Sequence, residues 1–261
     1  MAKPYKKNHF VPVVYQKAWC SENDEVIVLN TKDRLIRTQA PKDIAKKKNL
    51  YTLPTTFKTE TPKITENIIF KVWEDRWNPV IEKIHKEEII KGDTLRDLKG
   101  FVIVQSFRTP KFQKENERVM NMLPKDKHVD FKLQFAFLGI KGFTEYIKYS
   151  NCKIVKATGL KNFITTDNPS THWLENGTNI TYLNYIMLRH ELFQNLNYLL
   201  ICPISPRYCA IVYPNLGLER NKTSDHAPYE KGDDDRVARF NKLIEHGADK
   251  LLMVKSISDL V

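Results

Sequence analysis

Cys152-Lys153-Ile154-Val155-Lys156-Ala157 marks the point where the chain changes character. Short apolar, β-branched runs follow it, and they read as strands: Phe163-Ile164-Thr165-Thr166, Tyr198 to Cys202, and Tyr208 to Tyr213. A helix from about Asp234 to His246 and a closing strand, Lys250-Leu251-Leu252-Met253-Val254, complete this half.

Working back towards the N-terminus, three long helices are predicted. Ile64, Ile68, Val72, Trp77, Val80, Ile81 and Ile84 keep a helical period, with Glu66, Glu74, Asp75, Glu82 and Glu87 mostly off that face. The second helix begins at about Thr94, as N-cap, and runs through the apolar Phe101 to Arg108, where Pro110 breaks it. The third spans about His128 to Tyr149. Ahead of them, Glu25 to Asn30 and Leu35 to Gln39 form a hairpin about Thr31-Lys32-Asp33. Pro41-Lys42-Asp43-Ile44-Ala45 starts a short helix with Lys46-Lys47-Lys48 near its end, and Asn49 to Leu53 reads as a brief strand. His9-Phe10-Val11-Pro12 stands before a short helix, with Pro12 in its first turn and His9 just ahead of it.

Strands at both ends around a helical middle imply an α+β fold. The expected architecture is a mixed or antiparallel sheet, built from N- and C-terminal strands and packed on a central group of long helices. One domain over 1–261 is expected, with long helices at about 63–150, mainly strands at 151–215, and a final helix and strand at 232–256.

With 41% hydrophobic and 28% charged residues the composition is that of a globular protein. The longest apolar run, Tyr198 to Ile204, is far short of the ~20 residues a membrane-spanning helix requires. The basic N-terminus lacks the apolar segment of a signal peptide, so a cytoplasmic location is the default expectation. Cys20, Cys152, Cys202 and Cys209 form no C-x-x-C pair and read as small buried thiols. The histidines do not pair at helical spacing, so neither a metal nor a cofactor is expected. A net charge of +11 admits nucleic acid or an anionic small molecule as partner, although lysine-rich composition also arises without any ligand. No phosphate-cradling glycine loop, G-x-S-x-G elbow or H-E-x-x-H motif occurs. Arg220 and His226 have the spacing of a HEPN-type ribonuclease motif, but Asn221-Lys222-Thr223-Ser224-Asp225 between them is a poor helix former.

Each candidate functional residue has two readings. At a helix N-terminus His9 is held neutral and able to accept a proton, or it is a structural histidine bonded to backbone. Arg108 ends a buried apolar run, where its planar fork anchors an anionic ligand or pairs with an internal carboxylate. Gln105, on the same face, joins either network. Asp167 ends a strand in Asp167-Asn168-Pro169-Ser170, suited to an active-site edge and equally to an ordinary turn.

Asn8-His9-Phe10-Val11-Pro12, Tyr15-Gln16-Lys17-Ala18-Trp19, Gln105 to Pro110, Phe163 to Pro169, Pro203-Ile204-Ser205-Pro206 and Asn241 together resemble the bacterial domain-of-unknown-function family 4238. The family pattern as it bears on this chain is H-[YF]-V-P, then R-T-P in a helix, a strand ending T-S-D-N-P, P-L-S-P, and a helix with a central Asn. Gln16, Trp19 and Thr166 depart from it by compatible exchanges. The resemblance implies a shared site for His9, Arg108, Asp167 and Asn241, and it implies no reaction.

Two functions compete on these residues. The first is a metal-independent hydrolase or transferase, nuclease-like, acting on nucleic acid or a nucleotide, as in a toxin or phage-defence effector. There His9 is the acid or base, Arg108 holds the anion, Asp167 orients, and Asn241 supplies a hydrogen bond. The second is a non-catalytic nucleic-acid-binding module in which Lys46, Lys47 and Lys48 contact phosphates and the polar set braces the fold. A scaffold protein without a small ligand is the third expectation.

Overall fold

The computed structural model describes residues 7–48, 50, 71–120, 147–174, 198–214 and 223–260. The expected strand at Asn49 to Leu53, apart from the buried Leu50, the start of the first long helix around Ile64 and most of the helix from His128 lie outside the described residues, as does Arg220.

The chain opens with β1 (Lys7–His9) and α1 (Val13–Gln16), which a 3-10 turn prolongs over Lys17–Trp19. His9 therefore closes a strand instead of standing at a helix N-terminus. Pro12 is extended, with ψ 139°, and sterically holds the residue before it extended too, so helix begins only at Val13. A four-residue helix offers little dipole to act on His9.

The hairpin forms as expected from β2 (Val26–Asn30) and β3 (Ile36–Gln39). Its turn is made by side chains that imitate backbone: Asn30 accepts from Lys32 N–H and Asp33 from Leu35 N–H. Pro41–Asp43 is a single 3-10 turn, and Ala45, at φ 48°, stops it. Lys46–Lys48 consequently form a strand, β4, against β1, which corrects the expected helix end.

The first helical pattern divides at Arg76 into α2 (Lys71–Asp75) and α3 (Trp77–His85). α3 buries Trp77, Val80 and Ile84 along one stripe. After β5 (Ile90–Lys91) comes α4 (Gly92–Phe107), with Lys91 as its N-cap, three residues earlier than a Thr94 cap predicts. The Thr94 hydroxyl is occupied by the Lys83 ammonium at 3.0 Å instead of capping. Every residue from Phe101 to Phe107 is buried. The break at Pro110 has a specific form: α5 (Pro110–Met120) starts with proline as first residue, and the Thr109 hydroxyl accepts from Phe112 N–H at 3.3 Å.

The C-terminal half supplies β6 (Ser150–Ala157), β7 (Thr165–Thr166), β8 (Thr171–Leu174), β9 (Tyr198–Ser205), β10 (Tyr208–Pro214), β11 (His226–Ala227), β12 (Tyr229–Gly232), α6 (Asp234–Gly247) and β13 (Leu251–Val254), then a 3-10 turn at Ile257–Leu260. Five strands form a mixed sheet in the order β12-β6-β10-β9-β8, parallel only between β12 and β6. A second, antiparallel sheet has the order β3-β2-β13-β7, so the N-terminal hairpin does meet the closing strand. β1-β4 and β5-β11 are separate two-stranded ribbons. The fold is α+β, as expected.

The five-stranded sheet is buried on both faces. Alternate residues Cys152, Ile154, Leu200, Cys202, Ala210 and Val212 join the aromatic core of α1, α3 and α4. The intervening Val155, Ala157, Ile201, Cys209 and Ile211 join a second core with Val237 and Ile244 of α6 and Leu252 of β13. Two-sided burial explains why these strands read as near-continuous apolar runs.

Candidate functional site

Arg108 follows the last turn of α4 and is 2% exposed. Its Nη1 donates to Glu74 Oε1 of α2 at 2.5 Å and its Nη2 to the His9 carbonyl at 2.6 Å. One guanidinium thus joins α4, α2 and β1, which is the internal-carboxylate reading of this residue. His9 is half-buried, and its ring donates from Nε2 to the Lys42 carbonyl at 2.9 Å.

Residue Thr109 leads to a second, adjoining network. Its hydroxyl donates to Asn168 Oδ1 at 3.0 Å, and Asn168 Nδ2 donates to the Gly247 carbonyl at 2.9 Å. Lys111 Nζ reaches the same carbonyl at 3.0 Å, placing a cation at the C-terminus of α6. Asp167 accepts from the backbone N–H groups of Asp249 and Lys250 at 2.9 Å each and so fixes the turn between α6 and β13. Burial pushes its carboxyl above the ordinary range, and those N–H groups offset part of the rise.

Residues 163–174 are buried throughout, polar members included. Within them His172 is depressed to about 3 by burial and by the nearby Lys111 charge, so the ring is neutral. Asn241, at the middle of α6, accepts from Ile164 N–H at 3.1 Å and donates to the Asn162 carbonyl at 2.8 Å. It ties the approach to β7 onto α6.

The four residues expected to share a site are therefore engaged by four different sets of partners. Only His9 and Arg108 are joined directly, through the His9 backbone carbonyl. Gln105 is fully buried on α4, and neither of its amide atoms has a hydrogen-bond partner among the described residues. Lys46 donates to Asp43 Oδ1 at 2.7 Å and to the Lys42 carbonyl at 3.1 Å, whereas Lys47 and Lys48 are exposed. Among the described residues no His, Cys, Asp and Glu group has the arrangement to hold a metal ion. No helix among them is long and apolar enough to cross a membrane. Cys152, Cys202 and Cys209 are buried free thiols, each held well above the ordinary range by desolvation.

Sequence reasoning passed over three participants. Asn168 is the junction of the second network, and its place in an Asp-Asn-Pro-Ser turn hid it. Tyr15, fully buried, contacts both the Thr165 hydroxyl at 2.7 Å and, as donor, the Pro203 carbonyl at 2.6 Å. The Tyr15/Trp19 spacing of one helical turn was the available signal, and their ring centroids lie 4.9 Å apart. Lys99, buried on α4, donates to the Ser150 carbonyl at 2.9 Å.

These features define an α+β protein whose polar motif residues brace a sheet packed on both sides. The model of the family described as "Protein of unknown function (DUF4238)" matches residues 7–257, and the chain belongs to that family. No curated protein and no solved structure matches the chain.

Proposed function

We propose that this protein is a nucleic-acid-binding module that contacts phosphates through the β1–β4 ribbon, with its polar motif residues serving as internal braces. The observation that carries this reading is the pair Lys47 and Lys48, exposed on β4 and without a carboxylate partner among the described residues. The register sets Lys48 opposite Lys7, Lys47 opposite Asn8 and Lys46 opposite His9, so the lysine run lies on one strand of a short two-stranded ribbon. A two-stranded antiparallel ribbon also has the dimensions to enter a DNA major groove. The net charge of +11 adds a long-range attraction for a polyanion.

Binding of a labelled duplex and a labelled single strand, measured by fluorescence anisotropy over a salt series, tests this. The logarithm of the affinity should fall linearly with the logarithm of salt, and Lys47→Gln with Lys48→Gln should flatten that slope by about 2. Absence of binding at low salt, or a slope unchanged by the double substitution, removes the reading. Cleavage of either nucleic acid that disappears in His9→Ala replaces it with the phosphate-directed hydrolase.

A further inference from the structure

A cavity of about 550 Å³ opens between α6, the turn of the β2–β3 hairpin, the loop ahead of β7 and the final 3-10 turn. Its size falls among those of small-molecule sites. Ala238, Asn241, Lys242 and Glu245 line it from α6, and their spacing puts them on one helical face. Leu29, Ile164 and Leu252, all at most 4% exposed, make an apolar floor.

The walls are held before any ligand arrives. Asn241 bonds the backbone of Asn162 and Ile164, so α6 and the loop cannot separate freely. Asp259 ties the final turn across the cavity by accepting from Asn162 Nδ2 at 3.1 Å and Ser256 N–H at 2.9 Å.

The charges at the rim do not cancel. Arg34, Lys161 and Lys242 face Glu245 and Asp259. Glu245 lies 3.7 Å from Arg34, and Asp259 is occupied by the two donors just named. Among the described residues the ammonium groups of Lys161 and Lys242 have no hydrogen-bond or ion-pair partner; Lys161 shares the field of the Asp234 carboxylate, which its backbone N–H holds at 2.7 Å, and Lys242 adds positive potential over the apolar floor.

We infer that this cavity binds a small amphipathic anion, an apolar ring or chain bearing a carboxylate, sulfonate or phosphate. The apolar body rests on Leu29, Ile164 and Leu252, and the charge meets Lys161 and Lys242. No residue of the β1–β4 ribbon lines the cavity, so the inference stands or falls apart from nucleic-acid binding.

Titration with anilinonaphthalene sulfonate, followed by its fluorescence on the full chain, provides the test. Saturable single-site binding is expected. Ala238→Trp should abolish it by filling the cavity. Lys161→Gln with Lys242→Gln should raise Kd about tenfold, the combined effect of losing two modest attractions at exposed ammonium groups. Lys47→Gln with Lys48→Gln should leave Kd unchanged. Thermal melts establish that each variant is folded, and if the tryptophan variant is not, the Lys161/Lys242 pair decides. The inference is overturned by absence of saturable binding, by a Kd unchanged in the folded Lys161/Lys242 variant, or by a loss that follows Lys47 and Lys48.

Discussion

The region around Arg108 and Asn168 and the ribbon of β1 and β4 are built from similar polar residues, yet they dispose of them in opposite ways. In the first, Arg108, Asp167, Asn168 and Lys111 end on backbone groups or on Glu74. In the second, Lys47 and Lys48 end in solvent. Burial makes the difference: a polar group withdrawn from water must find a partner, and that partner becomes part of the fold. An exposed ammonium keeps its hydration and stays available to something else. A polar motif running through a chain can thus describe its bracing as well as a site.

Substitutions should separate the two regions sharply. The largest effect is expected at Arg108, where Arg108→Ala leaves a buried carbonyl and Glu74 without their donor. It should cost about 3 kcal/mol or more in a denaturant titration, with Arg108→Lys recovering only part. A loss below about 1 kcal/mol would break the comparison.

His172 comes next. Its folded-state value of about 3 lies below the ordinary 6.5, so the unfolded chain takes up a proton that the folded chain refuses. Its contribution is therefore present above pH 6.5 and is lost as pH falls towards about 3, on the order of a few kcal/mol. Melts across that range should show the fall, and His172→Gln should flatten it.

Asp167→Asn should cost about 1–3 kcal/mol at neutral pH, because an amide donor would confront a backbone N–H that now has an acceptor. Chemical denaturation reads it directly. The smallest effect on stability belongs to the ribbon. Lys47→Gln with Lys48→Gln should leave the unfolding midpoint within about 0.5 kcal/mol of the parent while changing the salt slope of nucleic-acid binding. A large loss of stability there would show that these lysines also brace the fold.

Much of the fold was legible because it is locally encoded. The hairpin of β2 and β3 follows from Asn30 and Asp33 bonding their own neighbours. The break at Pro110 follows from a proline without an N–H, and α6 follows from its apolar stripe and the Asp233 cap, which accepts from Arg236 N–H. Less legible was whatever depends on a single backbone angle. Ala45 at φ 48° turns the expected helix end at Lys46–Lys48 into a strand, and no residue type announces it. The short strands β8, β11 and β12 were also missed, since two to four residues carry too little periodicity to be recognised.

The candidate site divides along the same line. Local chemistry singled out Arg108, Asp167 and Asn241 as polar residues in apolar surroundings. It left open whether each meets a ligand or the protein itself. Glu74 lies 34 residues from Arg108, and Asn241 lies 77 from Ile164. Such partners are brought together only by the packing of helices on the sheet.

By itself the sequence determined the α+β class, the family, and a strongly basic chain with a polar residue at each of several motif positions. Those properties reside in composition, in the period of apolar residues and in turn chemistry, all of which act over a few residues. Tertiary structure alone decided that the five-stranded sheet is buried on both faces, that Arg108, Asp167 and Asn241 bond to the protein's own groups, and that Lys47 and Lys48 are exposed. Burial and partnership are properties of the packed chain, because residues distant in sequence set each other's access to water.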